Sequence, residues 1–451
     1  MSALSTSHRN PETPDADVHP KLQKKVLIVT YYWPPSGGSG VQRWLKFVKY
    51  LPTFGWQPYV FTPENPSVEI HDESLLKDIP PEAEVIRLPI WEPYGLFRKA
   101  SSLAGGKAPS QTDFVTTGKK SLLQSVTSWI RGNVFIPDAR VFWVKPSVLV
   151  LSDILKSNHI STLVTTGPPH SMHLIGLKLK KLNPSLRWIV DLRDPWSEWD
   201  FLDTLSLTGW ARRKHRRLER EVLQAADRVI TIAPYHVDRF ERLGGRKVDL
   251  ITNGFDQADF IGIKRKRTAR FTIRHIGMVD ELRDPRPFME AVKMMLDKEP
   301  GLKESIVIEF IGAVNSSFQN FVSAEPVLAS ITSFRKPMPH AELVALYGET
   351  DVQLLVLAHT FLAPGNLPGK FFEYLASGNF ILGIGPEKSD AAAILQATKA
   401  GEIIDRGNGR AIMDVLKGQF QRWQAGGLGA DRNVESYSRQ SLTGQLSRLL
   451  G

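Results

Sequence analysis

Residues Pro364 to Gly378 read P-G-N-L-P-G-K-F-F-E-Y-L-A-S-G. Two Pro–Gly steps followed by an apolar-periodic run predict a tight loop that opens a helix. The first turns of that helix carry one lysine, Lys370, and one glutamate, Glu373. A helix N-terminus presents unpaired N–H groups and a partial positive charge, so it suits an anion such as a phosphate. Lys370 adds a full charge there. Glu373, three residues on, shares its face and accepts hydrogen bonds from hydroxyls. The stretch is expected to hold a sugar nucleotide. Apolar runs flank it, Val352 to Leu357 before and Phe380 to Ile384 after. Both have the length and content of buried strands.

Moving outward, the second half repeats this unit. F-T-I-R-H-I-G from Phe271 is a strand leading to a helix over about Pro285 to Leu296, and Ser305 to Ile311 is another strand. Pro339 is placed at the first position of the helix H-A-E-L-V-A-L-Y. A terminal amphipathic helix is expected near Tyr437 to Leu450. The first half follows the same rule. V-L-I-V-T (Val26 to Thr30) precedes Y-Y-W-P-P-S-G-G-S-G and a helix to about Leu51. Strands follow near Pro58, Val85, Ser161, Trp188, Arg228 and Val248, and T-N-G-F-D (Thr252 to Asp256) is a turn. The predicted class is α/β, with two facing Rossmann-like doubly wound domains and a site in the cleft between them. The expected division is a disordered tail over 1–23, one domain over 24–257, a second over 258–430, and a helix over 431–451 packing back toward the first.

A length of 451 residues exceeds what one core usually serves, which agrees with two domains. The chain has no cysteine, which excludes disulfides, thiolate metal sites and a cysteine nucleophile, and fits a reducing cytosol. The net charge of +10 favours anionic partners such as phosphates or an acidic membrane face. No stretch approaches the roughly 18 apolar residues of a membrane span. A long loop is expected over Ala100 to Lys120. The aromatic stretch Trp129 to Val144, beside Arg131, Arg140 and Lys145, reads either as a lipid-facing segment or as core beneath that loop.

The candidate residues all follow strands. Gly37, Gly38 and Gly40 form a glycine turn that lacks the dinucleotide spacing, so it reads equally as a phosphate loop or a plain turn. Gly277 and Arg283 lie in H-I-G-M-V-D-E-L-R-D-P-R. Arg283 is either a phosphate ligand or a surface cation paired with Asp280 or Asp284. Arg193 and Asp194 end a buried strand in D-L-R-D-P-W, as a site or as a turn-holding salt bridge. His170 and His173 are three apart with no third ligand evident, so a metal pair is not expected. His170 then reads as a substrate contact or an ordinary histidine. The basic helix Arg212 to Arg220 reads first as a solvated face, and no nucleic-acid partner is expected.

From Lys24 to the C-terminus these motifs resemble the retaining, nucleotide-sugar-dependent glycosyltransferases of the GT-B fold, the large group 1 (family 4-like) family. P-P-S-G-G-S-G, V-D-L-R-D-P-W, A-D-R-V-I-T-I, T-N-G-F-D and P-G-K-F-F-E-Y-L-A-S-G occur in the family's order. The resemblance implies a donor site in the second domain, with Arg283 and Lys370 on the diphosphate and Glu373 on the ribose. Gly277, Asn366 and Gly369 would complete it. The glycine loop would approach phosphates or acceptor, and His170, Arg193 and Asp194 would line the acceptor side. Many members carry a second glutamate where Gly365 stands here, which bears on the donor sugar. The implied reaction is metal-free and cofactor-free transfer with retention to a hydroxyl, on a lipid-linked or surface glycan, with peripheral membrane contact. An epimerase or hydrolase on the same scaffold, or a non-catalytic sugar- or nucleic-acid-binding protein, is the alternative.

Overall fold

A computed structural model of the chain describes residues 24–68, 70–92, 122–430 and 432–451. The tail expected over 1–23 and the loop expected over Ala100 to Lys120 lie outside the described residues. The strands of the first half are β1 (Lys24–Val29), β2 (Trp56–Pro63), β3 (Glu84–Leu88), β4 (Thr162–Gly167), β5 (Arg187–Leu192), β6 (Arg228–Thr231) and β7 (Asp249–Leu250). They form one parallel sheet in the order β3-β2-β1-β4-β5-β6-β7. The second half contributes β8 (Phe271–Ile276), β9 (Ile306–Ile311), β10 (Thr332–Arg335), β11 (Val352–Val356), β12 (Phe380–Ile384) and β13 (Gly401–Ile404). These form a second parallel sheet, β10-β9-β8-β11-β12-β13.

Both orders reverse direction at one place, between β1 and β4 in the first sheet and between β8 and β11 in the second. Loops leaving the two strands at such a point diverge to opposite faces, which opens a crevice at their carboxyl ends. The glycine turn follows β1 and His170 follows β4. Gly277 follows β8, and the Lys370 helix follows β11. The central strand β1 is apolar without alternation because helices cover both sheet faces: Val26, Leu27, Ile28 and Val29 are all fully buried. The short edge strand β10 is a departure from the sequence reading. Its residues alternate between half-buried and exposed, as befits an edge with one covered face, and four residues are too few to register as a period. Pro339 is the N-cap of the helix His340–Tyr347 rather than its first residue.

The chain crosses between the sheets twice. The outward crossing runs through Asp256, whose carboxylate caps the short hinge helix Gln257–Phe260 by accepting from the Ala258 N–H. The return runs through Val434 to Ser438 into the terminal helix Arg439–Leu450. The crossings are paired: Phe255 donates its N–H to the Tyr437 carbonyl at 3.2 Å, and Arg439 donates to the Phe255 carbonyl at 2.8 Å. A Cβ at Gly254 would land on the Tyr437 carbonyl oxygen, so this approach needs glycine. Leu442, Leu446 and Leu450 then pack with Val41, Trp44 and Leu45 of the helix Ser39–Tyr50, in the first core.

Candidate functional site

In the second sheet, Gly277 leaves β8 with φ +135°, a conformation that favours glycine. A side chain there would also meet the Lys370 Nζ at 2.8 Å. Lys370 sits in the first turn of the helix Gly369–Ser377, capped by Pro368. Its amine has no carboxylate within ion-pair distance among the described residues. It lies 3.4 Å from His275 Nε2. His275 Nδ1 lies 3.0 Å from the Leu354 carbonyl, and its Nε2 lies between the Met278 carbonyl at 3.4 Å and the lysine. Burial, then the neighbouring charges of Lys370 and Arg283, hold that imidazole neutral, with a pKa of about 3. Burial and the Arg283 charge push the Lys370 ammonium down to about 7, against the pull of Asp280 and Glu373. A half-buried cation in that state is stabilised by an anion that arrives from solution.

Arg283 lies three residues before the helix Arg286–Lys298. Its guanidinium pairs with Asp280 at 2.7 Å, and the Asp280 carboxylate also caps the loop by accepting from the Leu282 and Arg283 N–H groups. The surface pairing weighed from sequence is therefore formed, with Arg283 36% exposed. Asn366 caps a single turn at Ala363–Gly365, and a Cβ at Gly369 would meet open space. Both flank the mouth of the lysine helix.

Glu373 is fixed by a different helix from its own. His340 Nε2 lies 2.9 Å from one carboxylate oxygen and the Tyr347 hydroxyl donates to the other at 2.7 Å. Burial alone would raise this carboxyl. The His340 and Tyr347 hydrogen bonds, with the charge of Arg439, hold it below the usual glutamate range. Each oxygen keeps a second acceptor position, so the carboxylate remains able to take a hydroxyl.

The first sheet presents a contrasting arrangement. Asp191, at the end of β5, is fully buried and receives a bidentate bond from Arg43 at 3.0 and 3.1 Å. Trp44 Nε1 donates to it at 2.7 Å and the Thr166 hydroxyl at 2.9 Å. Arg43 gives two further N–H groups to the Ile251 and Thr252 carbonyls. Arg193, read from sequence as a catalytic candidate, donates to the carbonyls of Gly167, Pro168 and Gly40. It braces the glycine turn against the β4 loop. Gly38 opens the helix Ser39–Tyr50 with φ +88°, and a side chain at Gly40 would strike the Tyr32 ring at 2.9 Å. Gly37 packs in the same way on Ile70, so steric fit calls for glycine at 37 and 40 and backbone conformation at 38.

His170 caps the helix Ser171–Leu182 and stacks on Trp196, centroids 5.0 Å apart and rings nearly parallel. It is buried, and neither ring nitrogen has a hydrogen-bond partner among the described residues. His173 bonds Thr165 through Nδ1 and leaves Nε2 unpaired. Burial keeps both neutral, His173 at about 3. Asp194 makes no hydrogen bond among the described residues, and burial raises its carboxyl against the pull of Arg193. Its turn is anchored from the basic helix Gly209–Ala225: Glu219 accepts from the Trp196 and Ser197 N–H groups, and His215 accepts from Trp196 Nε1. The cations of that helix face solvent, with Arg217 73% exposed. Among the described residues no cluster of three or more His, Asp or Glu side chains is arranged to hold a metal.

The two sheets meet at Gly365. Its missing Cβ would lie 2.7 Å from the Tyr235 ring and 2.9 Å from His236 Cε1, both at the start of the helix after β6. The Tyr235 N–H donates to Asp390 of the second half, and Asn253 reaches the Leu367 carbonyl at 3.4 Å. Space, rather than backbone conformation, requires glycine here. His236 is buried with Nδ1 unpaired, and burial and Arg239 hold it near 4. Sequence reading missed His340, Tyr347, His275, Arg43 and the Tyr235–His236 pair. His340 and Tyr347 share a helix face by their spacing of seven, but nothing in the chain says that this face meets Glu373.

Residues 37–254 match the glycosyl transferase 4-like domain family. A D-inositol 3-phosphate glycosyltransferase of Kribbella flavida (strain DSM 17836 / JCM 10339 / NBRC 14399) is 25% identical over 154 residues, which is 30% of this chain and 36% of that protein. Among solved structures, the sucrose-phosphate synthase of Thermosynechococcus elongatus superposes with a TM-score of 0.58 at 13% identity, covering 95% of this chain and 98% of its own. An alpha,alpha-trehalose-phosphate synthase (UDP-forming) of Burkholderia vietnamiensis gives 0.55 at 13% identity, over 95% and 96%. These superpositions speak to the fold, and they cover nearly the whole chain. The chain thus resembles the glycosyl transferase 4-like domain in sequence over residues 37–254, and it shares the two-sheet fold of these synthases along its length.

Proposed function

We propose that the protein transfers a sugar, with retention, from a nucleoside-diphosphate sugar to a hydroxyl of a glycan. Lys370 carries the reading: a half-buried amine with a pKa of about 7, at a helix N-terminus, unpaired with any carboxylate among the described residues, beside a glycine that keeps the approach open. That environment fits a diphosphate. Glu373, one helical turn on, takes the ribose hydroxyls. Arg283 exchanges part of its Asp280 contact for phosphate.

In the reaction the bond from the anomeric carbon to the diphosphate oxygen breaks, and the acceptor oxygen bonds to the same face of that carbon. The acceptor proton passes to a leaving-group phosphate oxygen. Negative charge grows on the diphosphate as it departs, so Lys370, Arg283 and the helix N-terminus stabilise the transition state more than the ground state. The acceptor lies on the first domain. His170 lies beneath this face, stacked on the buried Trp196 with Trp199 edge-on, and its ring nitrogens have no partner among the described residues. A lipid-linked or surface glycan is favoured by the half-exposed Trp91 and Phe142, which contact each other edge to face, and by the half-exposed Trp129 and exposed Lys145, a set that suits contact with a membrane face.

A thermal-shift panel of UDP-, GDP-, ADP- and dTDP-sugars tests the donor. At least one is expected to raise the melting temperature by mass action, and to do so less in Lys370→Ala. No shift with any of them, or equal shifts in both proteins, overturns the site. Donor sugar epimerised or released to water without an acceptor overturns the transferase reading.

A further inference from the structure

Glu373 is held by a chain of contacts that begins in the other domain. Lys46, on the helix Ser39–Tyr50, pairs with Asp78 at 2.8 Å, Asp256 at 2.7 Å and Asp259 at 3.3 Å. Lys49 joins Asp78 and Asp256, and Tyr50 donates to Asp256. Asp259 belongs to the hinge helix and lies 4.0 Å from His340 Nδ1. His340 Nε2 then reaches Glu373 at 2.9 Å. The same two helices meet again where Phe260 stacks on Tyr347, the second hydrogen-bond donor to Glu373. His340 therefore has a carboxylate at each ring nitrogen, one on the hinge and one on the helix that carries Lys370.

We infer that His340 is a positioning residue: it fixes the Glu373 carboxylate for the nucleoside and ties it to the hinge helix, so that the grip on the ribose depends on the proton His340 carries. The inference rests on the ribose role given to Glu373 above. A neutral imidazole can donate to Glu373 without charge, whereas an imidazolium makes that hydrogen bond charge-assisted and is attracted by the Asp259 carboxylate across 4.0 Å. The groups that face it are Glu373, Asp259 and, behind Asp259, Lys46. Tyr347 and Arg439 act on it through Glu373. Burial would lower the imidazole, but Glu373 and then Asp259 raise it above its ordinary value, against Lys46. The protonated bridge is thus complete below about pH 6.5 and is lost as pH rises through the folded-state value above that.

The test measures dissociation constants of UDP, GDP, ADP and pyrophosphate for the full chain from pH 6 to 9. His340→Gln keeps an amide donor toward Glu373 but cannot titrate. Taking the ratio of variant to wild type for one ligand cancels the titration of the ligand and of Lys370. For the nucleoside diphosphate that binds best, the ratio is expected to be about three- to tenfold at pH 6 and to approach one at pH 9. For pyrophosphate, which has no ribose, it stays within about twofold throughout. A ratio for the nucleoside diphosphate that does not change with pH overturns the inference. Asp259→Asn removes the other carboxylate while leaving Glu373 in place. It is expected to move the loss of nucleoside-diphosphate affinity to lower pH, and a profile superimposable on wild type also overturns the inference. Glu373→Ala separates the two levels: unaltered nucleoside-diphosphate binding removes the ribose reading itself. Weakened binding with a flat His340→Gln ratio removes only the role of His340.

Discussion

The carboxyl ends of the two sheets carry buried charge in opposite states of completion. At the first, Asp191 receives four hydrogen bonds and Arg43 gives four, so the pair is closed on itself. At the second, Lys370 has a histidine and a glycine for neighbours and, among the described residues, no carboxylate within ion-pair distance. A completed pair has no capacity left for a ligand and works as a framework. An incomplete one costs the fold some stability and keeps that capacity for a substrate. The same two-domain chain therefore separates scaffold charge from working charge by saturation rather than by residue type.

The largest effect should come from breaking the closed pair. Asp191→Ala leaves Arg43 buried and uncompensated, and is expected to cost about 3–5 kcal/mol in denaturant-measured stability. A loss under about 1 kcal/mol would dissolve the contrast. Lys370→Ala should do the reverse: stability unchanged or higher, with diphosphate affinity lower by about 1.5–3 kcal/mol in calorimetric titration. The pH dependence has a worked sign. Because the fold lowers Lys370 to about 7, the unfolded chain binds more protons between pH 7 and about 10.4, so this group makes stability rise with pH across that window. Thermal melts of wild type should show that rise, and Lys370→Met should lose it. Diphosphate affinity should fall as pH climbs above 7, because the free amine must take up a proton to bind.

Gly365→Ala forces a methyl group against Tyr235 and His236, and is expected to cost about 1–3 kcal/mol or to part the two sheets there. Small-angle scattering would show the second outcome as a larger radius of gyration. The smallest change is expected for Arg283→Ala, since Asp280 already neutralises it. A loss of diphosphate affinity beyond tenfold would move Arg283 up to the rank of Lys370.

The alternation of strands and helices was legible because parallel strands buried on both faces write themselves as short apolar runs. Lys370 and Glu373 were legible because a Pro–Gly loop opening a helix has a local chemical meaning. Arg193 was not: its neighbours suggested a charged site, yet its partners are three backbone carbonyls, and carbonyls leave no mark in a sequence. The reason for glycine at 365 was hidden for a related cause, since the rings that exclude a side chain come from residues 235 and 236 in the other half of the chain. His340 and Asp259 acquire meaning only when the hinge helix is laid beside them.

The terminal helix has a consequence for how the molecule is made. Leu442, Leu446 and Leu450 close the first core along the helix Ser39–Tyr50, although the whole second domain separates them in the chain. During synthesis the second domain can therefore finish before the first is sealed. Until Arg439–Leu450 leaves the ribosome, the apolar face of Val41, Trp44 and Leu45 lacks its cover, and a chaperone could bind there.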